Sequence, residues 1–169
     1  MPPRAVVVTQ VVFNLVSYTL ALRWFLWPRL TARPRHEALI PLVMVHWIRT
    51  LGLFAMVPAL AGPAVAATRW AHDVVVGDAL TVVLAWISVA LLRRRAAGAL
   101  AAVWITNVVG SLDVLNAGFN AARERILDLG IGPHLVVVTF AVPALVVSHV
   151  AIFRLLLRRE PDPVAIRSR

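Results

Sequence analysis

The sequence predicts an all-α polytopic membrane protein, a bundle of five transmembrane helices. Five apolar runs of about 20 residues recur along the chain, which is the length needed to cross a bilayer. Hydrophobic residues make up 60% of the chain, whereas a soluble domain averages roughly 45–50%. Arginines cluster at the ends of the runs, as they do where helices leave a membrane.

The five predicted spans form a single domain over residues 1–159, and residues 160–169 form a short polar cytoplasmic tail. Only Arg4 precedes the first run and several arginines follow it, so we predict a retained helix rather than a cleaved signal peptide. We place the spans at about residues 5–27, 38–60, 71–92, 96–120 and 134–157.

Prolines and glycines separate the first three spans. Pro28 and Pro34 break the helical pattern after the first run and predict a loop there. Pro58 is expected to end or kink the second helix near its far end, and Gly62 with Pro63 completes the exit. The arginines of the first connection predict that it is cytoplasmic, and the second connection carries only Arg69 and is predicted to lie outside.

The third and fourth spans each carry a polar stripe at helical spacing. The third stripe contains Asp78, Thr81 and Ser88, and three arginines at 93–95 end the helix. The fourth span is the most polar of the five, so its stripe is expected to face other helices rather than lipid. Its stripe consists of Thr106, Gly110, Asp113 and Asn120, with Asn116 on its edge.

The fifth span contains Pro143 near its middle, which predicts a kink. His149 lies about two turns before its end, and Arg154, Arg158 and Arg159 close the run. These arginines mirror those that follow the first and third spans, so all three helix ends are expected on one side of the membrane.

The distribution of arginine predicts an outside N-terminus and a cytoplasmic C-terminus. Twelve of the 17 arginines fall on the side that we assign to the cytoplasm, four fall outside, and Arg49 lies within the membrane. Arginine is the sole basic residue apart from histidine, and alanine and valine are abundant, which is typical of a bacterial genome rich in G and C. We therefore predict location in a bacterial inner membrane.

The composition excludes several kinds of chemistry. The chain has no cysteine and no lysine, which excludes disulfides, thiolate nucleophiles, iron–sulfur ligation and Schiff-base cofactors. No two histidines have the close spacing typical of a zinc site, so we predict no metal site. The net charge of +9 resides at the ends of the apolar runs, so nucleic acid is not an expected partner.

The most informative stretch is the second span, because it places a charge in the membrane. Arg49 costs about 2.5–3.5 kcal/mol at the centre of a helix unless other groups neutralise it. His46 lies one turn before it, and Asp78 and Asp113 on the next two helices could supply the counter-charge. The predicted ligand-binding residues are Arg49, His46, Asp78, Asn107, Asp113, Asn116 and His149.

These residues predict a polar intramembrane cavity that binds or passes a small molecule, a lipid or an ion. Four chemical interpretations remain open at this point: a salt bridge that only neutralises Arg49, a proton or ion path, an outward-open pocket that holds an anion, and acid–base catalysis on a lipid. The catalytic candidates are Asp78, Asp113 and His46. Whether the protein is an enzyme therefore stays open.

No cofactor is predicted, with one alternative, a b-type haem that carries electrons. His46 and His149 lie at similar depths in their spans, as two axial ligands of one iron would. Another alternative is an accessory subunit of a larger membrane complex. Membrane lipids are the expected partners, and a homo-oligomer also remains an open arrangement.

Four stretches resemble those of uncharacterised bacterial five-helix membrane proteins. The resemblance extends over most of the chain. It implies the five-helix fold and brings no known activity. The stretches are HWIRTLGL at 46–53, GD at 77–78, NVVGSLD at 107–113, and VPALVVSH at 142–149 with Arg154.

Overall fold

A computed structural model describes residues 3–158, and the predicted tail lies outside these residues. This part of the chain is all-helical and contains no strand. It includes five helices that are long and apolar enough to cross a membrane. We name them α1 (Arg4–Thr31), α2 (Arg35–Met56), α3 (Arg69–Arg93), α4 (Ala99–Arg123) and α5 (Gly132–Leu157).

Two helix ends differ from their predicted positions because of proline. A π-turn, Leu22–Leu26, precedes Pro28 and lets α1 continue to Thr31, since the wider turn accommodates a residue that lacks an N–H. Helix α2 ends at Met56 instead of residue 60. Val57 is extended there, with φ −95° and ψ 109°, because a residue before proline is disfavoured in the helical region.

Helices α2 to α5 form the body of the bundle, and α1 packs on its side. Helix α3 packs between α2 and α4, whereas α5 contacts α2, α4 and α1. None of the most apolar window of α1 is buried. At its start, Arg4 donates hydrogen bonds to Asp128 (Nε to Oδ1, 2.8 Å), and these bonds hold the pKa of Asp128 below its ordinary value.

Two apolar cores lie toward opposite ends of the bundle, and the buried polar residues lie between them. The first core, which includes Leu39, Leu92 and Ile152, lies toward the α1–α2 and α3–α4 connections. The second core, which includes Val65 and Trp70, lies toward the other two connections. A polar layer bounded on both sides by apolar packing has little access to water, so its groups must satisfy one another.

The second half of α2, Val45–Met56, is a 3-10 helix. Its buried residues are spaced by three: His46, Arg49, Gly52 and Ala55. A 3-10 helix has about three residues per turn, so these four residues stand in one line. In an α-helix, at about 100° per residue, the last of them would face away from the first. The helix type therefore directs both Arg49 and Gly52 into the bundle.

Side chains from neighbouring helices bind backbone carbonyls where the helix geometry changes. Ser148 Oγ donates to the carbonyl of Leu42 (2.9 Å), just before α2 changes from an α-helix to a 3-10 helix. Asn14 Nδ2 donates to the carbonyl of Thr139 (2.8 Å), which lies four residues before Pro143 and receives no helical bond from that proline. The predicted distortion of α5 takes the form of a π-turn over Val137–Ala141.

Candidate functional site

Arg49 lies in the polar layer, and the residue is 2% exposed. Its Nη1 donates to Asp78 Oδ1 at 2.5 Å and to Asp113 Oδ2 at 2.6 Å. As the sequence predicts, both carboxylates contact the buried arginine, and they come from the next two helices along the chain. Distances this short are typical of charge-assisted hydrogen bonds, so one nitrogen of α2 joins α3 and α4.

The remaining nitrogens of Arg49 have acceptors as well. Nη2 donates to the carbonyl of Gly110 at 2.7 Å and faces His149 Nε2 at 3.1 Å. Nε makes a longer contact, 3.5 Å, with His46 Nδ1. An arginine side chain has five N–H groups and no acceptor, and each of these five groups has an acceptor here. The guanidinium is therefore fully saturated by groups of α2 to α5.

The arginine also determines the tautomers of the two histidines, because it can only donate. His149 Nε2 must accept, so Nδ1 carries the hydrogen and donates to Asn107 Oδ1 at 2.8 Å. Asn107 Nδ2 in turn donates to the His149 carbonyl at 3.2 Å. His46 accepts at Nδ1, and its buried Nε2 has no hydrogen-bond partner among the described residues. Both imidazoles are therefore neutral in this network.

Glycines make room for the cluster at each helix crossing. A Cβ atom at Gly52 would lie 1.6 Å from Asp78 Oδ2, and one at Gly77 would lie 1.7 Å from Asp113 Oδ1. A Cβ atom at Gly110 would lie 2.8 Å from His149 Cε1. Each polar side chain thus packs against the backbone of the preceding helix. The pairs are Gly52 with Asp78, Gly77 with Asp113, and Gly110 with His149.

A cavity of about 120 Å³ adjoins the cluster. Arg49, Asp78 and Asp113 form its polar floor, and both carboxylate side chains are 12% exposed. The Arg49 side chain is only 1% exposed. The charged groups that face the cavity are therefore the carboxylates of Asp78 and Asp113. Apolar side chains of α3, α4 and α5 form most of the walls, including Val74, Val114, Val137, Val138 and Leu145.

Six of the seven predicted ligand-binding residues come together in this cluster. Asn116 does not join them, because its side of α4 faces outward, where its Oδ1 accepts a hydrogen bond from Asn120 at 2.9 Å. Gly110 belongs to the stripe of α4 that was expected to face other helices, whereas the close approach at Gly52 and Gly77 was not predicted. Gly52 could have been found from the period of three that it shares with His46 and Arg49. The six residues are His46, Arg49, Asp78, Asn107, Asp113 and His149.

The histidines do not fit the haem alternative in this arrangement. A porphyrin held by His46 and His149 must lie between the two imidazoles, but their ring centroids are 4.3 Å apart and the rings contact each other directly. Both nitrogens of His149 are also engaged by Arg49 and Asn107. Between residues 3 and 158, no group of three or more His, Cys, Asp or Glu side chains is placed to hold a metal ion.

Comparison with known proteins identifies a family. No curated protein and no solved structure matches the chain. One family matches residues 6–157, which includes all of the polar cluster and the cavity. The predicted membership of an uncharacterised family is therefore confirmed: the chain belongs to the family described as a domain of unknown function, DUF8737.

Proposed function

We propose that this chain is a multi-pass protein of the bacterial inner membrane that binds a small molecule, a lipid or an ion in the cavity above Arg49, Asp78 and Asp113. The exterior supports the membrane location. Large apolar side chains such as Phe13 and Phe119 are exposed along the helices, and a continuous apolar exterior is unfavourable in water. Helix α1 has little burial of its own, which suits a helix surrounded by lipid.

We also propose an outside N-terminus and a cytoplasmic C-terminus, on the arginine distribution. The chain has no cysteine, so single cysteines can report the sidedness of the two exposed connections. In spheroplasts, Ala67→Cys is expected to react with a membrane-impermeant maleimide, whereas Ala97→Cys is expected to react only after lysis. Labelling of Ala97→Cys in intact spheroplasts, with Ala67→Cys protected, would reverse the proposed topology.

The observation that carries the binding function is that two carboxylates open into an apolar cavity. One carboxylate is enough to neutralise Arg49, and close apolar packing over the pair would then complete a purely structural site. Here both Asp78 and Asp113 line a cavity instead. Ligand sites commonly combine apolar walls with a few convergent polar groups, and ionisable residues inside a membrane are candidates for function.

The first apolar core favours binding over passage through the bundle. On one side of the cluster, the first core is closed by side chains such as Leu39, Leu92 and Ile152. A buried polar pair lies beyond the cluster on this side: Ser88 and Thr106 are hydrogen bonded to each other at 2.8 Å. A conduit needs a continuous series of polar groups or water. The closure at this end therefore supports ligand binding in the cavity over passage through the bundle.

Filling the cavity is expected to abolish ligand binding. Ala141 is buried in the cavity wall, and Ala141→Leu would occupy space needed by a ligand. A cavity of this volume holds about one small ring, so para-fluorobenzyl alcohol is a suitable probe. Fluorine NMR of the probe in detergent micelles should show broadening with the wild-type protein and a loss of at least about 80% of that broadening with Ala141→Leu.

Ala101→Leu, on the exposed side of α4, is the matched control because it adds the same side chain outside the cavity. It should broaden the probe signal as the wild-type protein does. Equal broadening by all three proteins would show that the probe associates elsewhere and would overturn the proposed site.

A further inference from the structure

We infer that the cavity selects organic cations: its ligand carries one positive charge on a small apolar body, and the charged group contacts Asp78 and Asp113. This inference rests on the proposed function, because it requires the cavity to bind a ligand. It assigns the charge and the chemical class of that ligand, which the sequence leaves open.

The arginine cannot hold an anion without breaking the cluster. All five N–H groups of Arg49 already have acceptors. An anionic ligand would have to displace a carboxylate from the guanidinium and would also face the second carboxylate. The geometry therefore argues against the pocket that holds an anion against Arg49, one of the interpretations open from the sequence.

The carboxylates, in contrast, have unused capacity. Asp78 and Asp113 each give one oxygen to Arg49, and within residues 3–158 neither of their other oxygens, Asp78 Oδ2 and Asp113 Oδ1, accepts a hydrogen bond. One guanidinium can balance one carboxylate, so with both imidazoles neutral the second carboxylate has no counter-charge of its own within the cluster. An ammonium group would supply a positive charge and up to three donors.

The walls of the cavity indicate that the cation is organic. A hydrated metal ion would gain nothing from Val74, Val114 and Leu145, whereas an apolar body attached to the charged group would be transferred out of water. A second polar group also lines the cavity. His134 is 3% exposed, and its Nδ1 has no hydrogen-bond partner in the described part of the chain.

Three probes with the same ring and different charge test this inference. They are para-fluorobenzylamine, a cation at neutral pH, para-fluorobenzyl alcohol, which is neutral, and para-fluorobenzoate, an anion. Titration by fluorine NMR should show the amine binding at least about tenfold more tightly than the alcohol, because charge-assisted hydrogen bonds are stronger than neutral ones. The benzoate should show no saturable binding.

Removing one carboxylate should remove the preference. Asp113→Asn keeps the shape of the side chain and leaves Arg49 paired with Asp78, so the floor becomes neutral. The ratio of amine affinity to alcohol affinity is expected to fall at least about fivefold. Asp78→Asn is the parallel variant if Asp113→Asn does not elute as a folded monodisperse species, and Glu37→Gln, an exposed acid near the opposite end, should leave the ratio unchanged.

The outcomes separate this inference from the proposed function. If the alcohol binds as tightly as the amine, and Ala141→Leu abolishes binding of both, the cavity is a ligand site and the preference for cations is overturned. If the ratio of amine affinity to alcohol affinity is the same for the wild-type protein, Asp113→Asn and Asp78→Asn, the carboxylates do not bind the cation, and their assignment is overturned. If Ala141→Leu changes the binding of no probe, the proposed function itself fails.

Discussion

Replacing Arg49 with methionine is expected to lower the free energy of unfolding by about 3–5 kcal/mol, the usual cost of removing one partner from a buried ion pair. Methionine keeps an unbranched apolar side chain in the same space. The loss arises because Asp78 and Asp113 would remain buried without a counter-charge, and because the Gly110 carbonyl and His149 Nε2 would lose their donor. Denaturant or thermal unfolding of the purified protein in detergent measures the difference.

Two matched variants identify the cause of that loss. Adding Asp78→Asn and Asp113→Asn to Arg49→Met removes the uncompensated charges and should recover more than half of the lost stability. Arg69→Met changes an arginine whose side chain is 83% exposed, and its effect should stay within about 0.5 kcal/mol. An Arg49→Met protein as stable as the wild type would contradict the conclusion that the cluster holds three helices together.

A single added methyl group at a helix crossing is expected to have a comparably large effect. Gly52→Ala and Gly77→Ala would each place a Cβ atom less than 2 Å from a carboxylate oxygen. The carboxylate, or the whole helix, must then move away from Arg49. We expect each substitution to lower the free energy of unfolding by about 2–4 kcal/mol, from overpacking and from a weakened ion pair.

The same substitution elsewhere on the chain should have the opposite sign. An added Cβ at Gly118 or Gly98 would meet nothing within 4 Å. At Gly118, inside α4, alanine should stabilise the helix by about 0.5–1 kcal/mol, because it loses less backbone entropy than glycine on folding. The double variant Gly52→Ala/Asp78→Ala should be more stable than Gly52→Ala, since the clash is removed and Arg49 keeps Asp113. Equal stability of Gly52→Ala and Gly118→Ala would contradict this account.

Much of the fold follows from local rules that a sequence displays directly. Length and apolar composition are enough to predict five spanning helices, because a bilayer requires about 20 apolar residues from each helix. The contact of Arg49 with Asp78 and Asp113 was also predictable, since a buried charge needs a partner and few residues could provide one. The predicted ends of α1 and α2 were less accurate because of two prolines. A π-turn accommodates Pro28 within α1, and the extended residue before Pro58 ends α2 early.

The arrangement within the cluster was not predictable in the same way. Asn116 lies on the edge of the polar stripe of α4 and Asn107 about a third of a turn from it, yet Asn107 is buried against His149 and Asn116 faces outward. Helical periodicity alone defines a broad face, and the rotation of the helix against its neighbours decides which edge of that face is buried. The 3-10 geometry of α2 is a similar case. Ser148 of α5 donates to the Leu42 carbonyl just before it begins, and Gly52 within it packs closely against Asp78.

The amino-acid sequence by itself determined the five apolar helices, the arginine-rich ends and the need for an internal counter-charge to Arg49, because each of these depends on composition and spacing along one chain. Only the tertiary structure decided that every donor of Arg49 is occupied while the carboxylates border an apolar cavity. That distinction depends on which atoms of α2, α3, α4 and α5 meet. It is therefore decided by packing between segments that are distant in the sequence.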